Sequence, residues 1–128
     1  YLAKNKDVRE IMKKFQKKII KKNKRICVEG RDIASTILKK NPHYDLAFYF
    51  TCNLNLASIR RWKDLKKKVP LKEIKKSLSI RTRLDKKRKH SPLKKMRDAI
   101  LIRTDKLNKK KVLLKMSQEI EKINYKIL

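Results

Sequence analysis

The sequence predicts an α/β fold, a parallel sheet with flanking helices, on two observations. Short apolar stretches suited to strands occur at 26–28 (ICV), 45–52 (DLAFYFTC) and 99–103 (AILIR). Periodic segments long enough to act as crossovers separate them, and parallel strands need crossovers because a tight turn cannot join them.

The elements follow in order. Val8, Ile11, Met12, Phe15 and Ile19 recur at three- and four-residue intervals, so 7–22 is an amphipathic helix with lysines on its outer face. The run 26–28 is the first strand. The second, 45–52, is rich in aromatics and bounded by Asn41–Pro42 on one side and Asn53 on the other. Asn53 caps a helix over 54–66. The charged stretch KDLKKKVP, about 63–70, closes on a proline that disfavours helix before it, and reads as an exposed loop or lid. A helix runs from Leu71 to the high eighties, 99–103 is the third strand, and Asn108 caps a last helix with Leu113, Met116, Ile120, Ile123 and Ile127 as its inner stripe.

Lysine and arginine number 40 against 12 acidic residues, a formal charge of +28 over 128 residues. Such a field attracts any polyanion non-specifically. Ten of the 40 are arginines and the lysines are spread in pairs and triplets, with aromatics at 6%, a pattern that a solvated helical surface also produces. Cys27 and Cys52 stand 25 residues apart without a CxxC pair, and His43 and His90 are isolated, so no metal site is expected and both thiols read as reduced core residues. No apolar run approaches the ~18–20 residues of a membrane span, and no signal-peptide core is evident, so a soluble, cytoplasmic, monomeric chain of one domain is expected. The first residue is Tyr1, so the gene product is expected to begin elsewhere.

Two stretches carry chemistry. Gly30, the one glycine, falls in VEGRDI just beyond a strand, where open α/β sheets place ligands. It serves either a sharp turn or a close backbone approach to a ligand. In the helix from Leu71, residues Leu71, Ile74, Leu78, Arg81, Asp85 and Arg88 share a face about 100° wide that begins apolar and ends charged. Either that end looks into a cleft, offering surplus positive charge and a hydroxyl acceptor to a phosphorylated sugar, or the last turns are solvated. Arg60 and Arg61, before the lysine-rich loop, fit phosphoryl transfer or an ordinary basic surface.

VRE at 8–10, VEGRDI at 28–33, RRW at 60–62 after the second strand, the Arg81, Asp85, Arg88, Pro92 spacing and the final strand, turn and helix together resemble the bacterial cytidylate kinases. The resemblance runs from about Val8 to the C-terminus. It implies a P-loop nucleoside monophosphate kinase-like fold and ATP-dependent phosphorylation of CMP or dCMP. It further implies that Arg9, Asp32 and Arg88 approach the cytosine, Arg31 meets the monophosphate, and Arg81 with Asp85 reads the sugar hydroxyls. Arg60 would act catalytically at the lid, binding the ATP phosphates with Arg61 beside it.

Ala34, Thr82, Ala57 and Ile59 depart from the family pattern, the last two thinning the lid's charge. A GxxxxGK[ST] phosphate loop needs two glycines, and the sequence has one. The expectation is therefore a C-terminal portion without the N-terminal strand and P-loop, inactive alone, with ATP and Mg²⁺ held mainly by the absent part. The alternatives are a basic RNA- or ribosome-associated protein and a degenerate kinase paralogue acting as a partner.

Overall fold

The computed structural model describes residues 5–127 and divides into two compact units, Tyr1–Asp45 with Lys86–Met96, and Leu46–Asp85 with Arg97–Leu128. The first unit opens with α1 (Lys6–Lys22), whose start is fixed by Asn5: its Oδ1 accepts from the backbone N–H groups of Asp7 at 2.9 Å and Val8 at 3.2 Å. Lysines in the last turn face the negative end of the helix dipole. Ile20 packs with Ile37 and Leu38, and Val28, Ile33 and Tyr44 close around them. Ile33–Ile37 form a single π-helical turn, with Leu38 N–H donating to the Ile33 carbonyl at 2.8 Å.

Two expectations fail in this unit. Residues 26–28 form no strand, Ile26 is 44% exposed and Cys27 is exposed rather than buried. The physical reason is that strand conformation is held by a neighbour's hydrogen bonds, and among the described residues no neighbour pairs with this run. The stripe of α1 points outward for the same kind of reason: Ile11, Met12, Phe15 and Ile19 are exposed, and Ile20, about 100° around the helix from Ile19, meets the core instead.

The second unit is built on two parallel strands, β1 (Phe48–Thr51) and β2 (Ile100–Arg103), paired in register from Phe48↔Ile100 to Thr51↔Arg103. Helices α2 (Leu54–Asp64) and α3 (Leu71–Lys87) lie between them in sequence, and α4 (Lys109–Ile127) follows. Asn53 and Asn108 cap as expected, each Oδ1 accepting a backbone N–H at 2.9 Å, from Asn55 and Lys111. Ala47, Ala99, Ile102 and Ile74 are buried, and the buried Ser58 hydroxyl donates to the Leu54 carbonyl at 2.6 Å. Between α2 and α3 the chain turns through Lys66 and Lys67, both left-handed at φ 51° and 61°, with the Lys67 ammonium 5.0 Å from the centre of the Trp62 ring. The α4 stripe is a third correction: Leu113 and Ile120 are exposed, Met116 and Ile123 half-buried, and the Ile127 side chain lies outside the described set. No helix among the described residues is long and apolar enough to cross a membrane.

Gly30 does not have a positive φ, so no left-handed turn requires it. A Cβ there would stand 2.6 Å from Ile33 Cγ1 and 3.0 Å from its Cδ1, so the glycine admits its own chain's isoleucine. Gly30→Ala should therefore lower stability by about 1–3 kcal/mol through overpacking, measured by urea unfolding. Adding Ile33→Ala should make the double variant less costly than the sum of the singles. An unchanged midpoint in Gly30→Ala would refute this packing account. On α1, the Lys13 ammonium 2.9 Å from Glu10 holds that exposed carboxyl below its ordinary 4.5. The small stabilisation it brings is present above the ordinary value and is lost as pH falls through the lowered one. Lys13→Ala should raise the Glu10 midpoint in an NMR titration.

Candidate functional site

Each unit assembles its own set of charged residues. In the first, Arg9 projects from the opening turn of α1, and its Nη2 meets Asp32 Oδ2 at 2.9 Å across 23 residues of sequence. Both side chains are about one-fifth exposed, 22% and 19%, which leaves the pair more shielded than a surface bridge and open on one side. Asp32 is held from behind, since its carbonyl accepts from Thr36 N–H at 2.9 Å and from the Ser35 hydroxyl at 3.4 Å. The Ser35 hydroxyl also lies 3.5 Å from the Pro92 carbonyl, tying the π-helical turn to the segment after α3. Arg31 precedes Asp32 and is half-buried, its Nε and Nη2 shielded from solvent. Arg88, just beyond the end of α3, is half-buried in the same unit. An acceptor carboxylate and several guanidiniums within one small unit can address an amino or hydroxyl proton and a phosphate respectively.

In the second unit the charged end of α3 stays inward at Asp85, which is 1% exposed, while Arg81 one turn earlier is open to solvent. Their 4.0 Å separation is the outer limit of an ion pair. A carboxylate at this depth is costly unless charged or hydrogen-bonding groups surround it, so the solvated reading of this helix end does not hold at Asp85. Leu78 is half-buried on the same face, and Leu71 is exposed.

Arg60 sits within α2, and its guanidinium reaches the turn after β2. Nη2 donates to the Thr104 carbonyl at 2.8 Å and the Leu107 carbonyl at 3.4 Å, and Nη1 to Thr104 Oγ1 at 3.2 Å and Cys52 Sγ at 3.5 Å. These acceptors are neutral, so the cation is fixed in position without being neutralised by them. Arg61 beside it is exposed. Sequence reasoning passed over Thr104 and Asp105, which complete this corner: Thr104 Oγ1 donates to the Thr51 carbonyl at 3.1 Å, and Asp105 Oδ1 accepts from Asn53 N–H at 2.7 Å. The available signal was a short polar pair directly after a strand, TD at 104–105.

A family model for cytidylate kinases matches residues 1–122. The chain belongs to the cytidylate kinase family. Curated cytidylate kinases similar to it include that of Rickettsia akari, 32% identical over 118 residues, or 90% of this chain and 52% of its own. That of Clostridium botulinum strain Okra is 33% identical over 119 residues, 91% of this chain and 53% of its own. That of Alkaliphilus oremlandii is 35% identical over 107 residues, 81% of this chain and 48% of its own. The chain spans about half the length of the curated relatives it matches. Membership brings with it the P-loop nucleoside monophosphate kinase-like fold, of which the described residues contain a two-stranded parallel sheet with helices.

In this member of the family the Arg60 contacts generate a prediction. Arg60→Lys keeps the charge but loses the fork that spans two carbonyls and a hydroxyl, and should destabilise the second unit by roughly 2 kcal/mol. The single tryptophan, Trp62, lies two residues away in α2 and reports the transition by fluorescence. A Trp62 transition at the wild-type urea concentration would show that the fork holds nothing.

Proposed function

We propose that this chain supplies the acceptor-binding and lid elements of a kinase that moves the γ-phosphoryl group of ATP to CMP or dCMP. The observation that carries this reading is the Arg9–Asp32 pair, two residues that the family resemblance assigns to the cytosine, joined at 2.9 Å within one compact unit. Asp32 then accepts a hydrogen bond from the base's amino N–H, with Arg9 fixing its orientation, and Arg88 approaches the same base. Arg31, held next to Asp32 by sequence, engages the monophosphate. Arg81 and Asp85 read the sugar hydroxyls, the carboxylate accepting and the guanidinium holding charge near it.

In the transfer step a phosphate oxygen of the acceptor forms a bond to the γ-phosphorus as the bond from that phosphorus to the β–γ bridging oxygen breaks. ADP leaves with the electron pair. Charge spreads over the equatorial oxygens, and fixed cations are what stabilise it. Arg60, already immobilised by the Thr104 and Leu107 carbonyls, costs little to organise further, and the exposed Arg61 adds to the same field. ATP and Mg²⁺ belong to this chemistry, but among the described residues no three His, Cys, Asp or Glu side chains group as metal ligands. With a single glycine, these 128 residues hold no GxxxxGK[ST] loop. This chain's part is therefore binding the acceptor and supplying guanidiniums.

A polyanion-binding reading draws on the shallow surface depression lined by Lys14, Lys17, Lys18, Lys21 and Lys22 on α1. The two readings separate in one calorimetric experiment on CMP binding by the 128-residue chain. The kinase reading expects saturable binding that Arg31→Ala or Asp32→Asn weakens at least ~10-fold, the order of a lost charge-assisted contact. Lys→Gln changes at 14, 17, 18 and 21 should leave it within about twofold, since in this reading none of these lysines makes a charge-assisted contact with CMP. The polyanion reading expects the reverse, with RNA binding that falls steeply as salt rises. Absence of saturable CMP binding overturns the kinase reading. CMP-dependent ADP formation by the isolated chain would overturn the assignment of a partial role.

A further inference from the structure

The turn that joins α2 to α3 holds two lysines in a backbone conformation that lysine disfavours. Lys66 and Lys67 have φ of 51° and 61°, the left-handed region in which a Cβ crowds the backbone and glycine or asparagine is the usual occupant of a helix end. Backbone bonds fix this geometry. Lys67 N–H donates to the Trp62 carbonyl and Lys66 N–H to the Lys63 carbonyl, both at 2.9 Å, while Lys68 N–H reaches the Leu65 carbonyl at 3.1 Å. These carbonyls are satisfied from within the turn, so what the turn offers to solvent is side chains. Arg61, Lys63, Lys66, Lys67 and Lys68 are all exposed, and they stand against one carboxylate, Asp64, within eight residues. Glycine at 66 or 67 would relieve the strain, so two adjacent lysines there indicate a use for their ammonium groups. One of these groups is already held. Lys67 Nζ lies 5.0 Å from the centre of the half-buried Trp62 ring, a contact weak enough that a phosphate oxygen competes for the same cation.

We propose that this turn is a latch for the polyphosphate chain of a nucleoside triphosphate. Without ligand Lys67 rests on Trp62; on binding it leaves the ring and joins Lys63, Lys66 and Lys68 around the phosphate oxygens. The inference rests on the functional reading above for the identity of the ligand, since ATP is the polyphosphate which that reading brings to Arg60 and Arg61 on the same helix. It goes further in giving the contact to lysines of the turn and in making Trp62 its sensor. Four ammonium groups on one short turn suit a compact phosphate chain, whereas an RNA strand engages cations laid out along an extended track. Lysines of that extended kind lie on α1 instead, at 14, 17, 18, 21 and 22.

The test follows the emission of Trp62, the single tryptophan of the 128-residue chain, during titration with ATP and with tripolyphosphate. Both should change it along a saturable curve, because both carry the phosphate chain. Lys67→Gln should alter the emission of the ligand-free protein and abolish the response to ATP. Lys66→Gly suits the left-handed backbone and keeps the turn folded, yet should weaken ATP binding by roughly threefold through the lost ammonium. Lys18→Gln with Lys21→Gln, on α1, should leave ATP binding within about twofold. No saturable response, or one that persists in Lys67→Gln, overturns the proposal. So does Lys66→Gly binding as tightly as wild type, since the strained lysine would then serve the fold alone. A response to ATP without one to tripolyphosphate assigns the contact to the base or sugar and overturns the latch. Equal weakening by the α1 substitutions, or an RNA oligonucleotide that displaces ATP at lower concentration than tripolyphosphate does, overturns it in favour of the general positive field. Calorimetry with CMP on the same preparation separates this proposal from the functional reading. A Trp62 response to phosphate chains without saturable CMP binding leaves the latch standing and removes the kinase role. Saturable CMP binding with a silent Trp62 does the opposite.

Discussion

The parallel pairing of β1 with β2 is the constraint on which the second unit depends. Because the strands run in the same direction, the chain that leaves Thr51 must travel back the length of the sheet before it can enter Ile100, and α2 and α3 lie on that route. Only four residue pairs form the ladder, so its ends carry much of the cohesion. At one end Ile100 N–H donates to the Ala47 carbonyl at 2.8 Å. At the other, Thr104 donates twice to the Thr51 carbonyl, from its N–H at 2.9 Å and its hydroxyl at 3.1 Å. Both strands then end side by side, which brings Asn53 against Asp105 and lets Arg60 span the corner. A side chain from the α2 crossover thus closes the turn that follows β2, so the connection and the sheet stabilise each other.

Charge composition makes acids more informative than bases in this molecule. With 40 cations and 12 carboxylates, an exposed lysine is the default and says little about position. The pairs Glu10–Lys13 and Glu119–Lys122 are of that ordinary kind, one helical turn apart and screened by solvent. Three aspartates are placed differently. Asp32 joins distant parts of the first unit through Arg9, Asp105 holds the entry to α2, and Asp85 is buried on α3. Burying or anchoring a carboxylate costs desolvation, so each such position implies a compensating group that the fold has to provide. In the first and last of these three, the residues are also those that the family resemblance associates with the nucleotide.

What could be read from the sequence divides along the line between local and distant causes. Asn53 and Asn108 were legible as caps because capping acts within three residues, and the helix starts fall where they predict. β1 and β2 lie inside the longer windows 45–52 and 99–103, found by apolar content, with ends trimmed where pairing stops. The run 26–28 has similar content and forms no strand, because composition proposes a strand and a neighbour is needed to hold it. Gly30 was legible as a position where a side chain would obstruct, but the obstructing group is Ile33, three residues on. In the candidate site, Arg9 and Asp32 were each marked, while their pairing was not, since 23 residues separate them. The Arg60 contacts were hidden for a further reason: two of its acceptors are backbone carbonyls, which every residue carries and no sequence pattern distinguishes.

Periodicity identifies which face of a helix is apolar and leaves open what covers it. On α1 the stripe centred near Phe15 is the face that the sequence marks as inward, yet the contact with the unit's core is made through Ile20, on a different side of the helix. α4 repeats the pattern, with Leu113 and Ile120 of its stripe exposed. Two helices in separate units thus carry more apolar surface than their own units use. Random placement of apolar residues would not give a three-and-four spacing on both, so each spacing marks a face suited to packing, whether or not its own unit covers it.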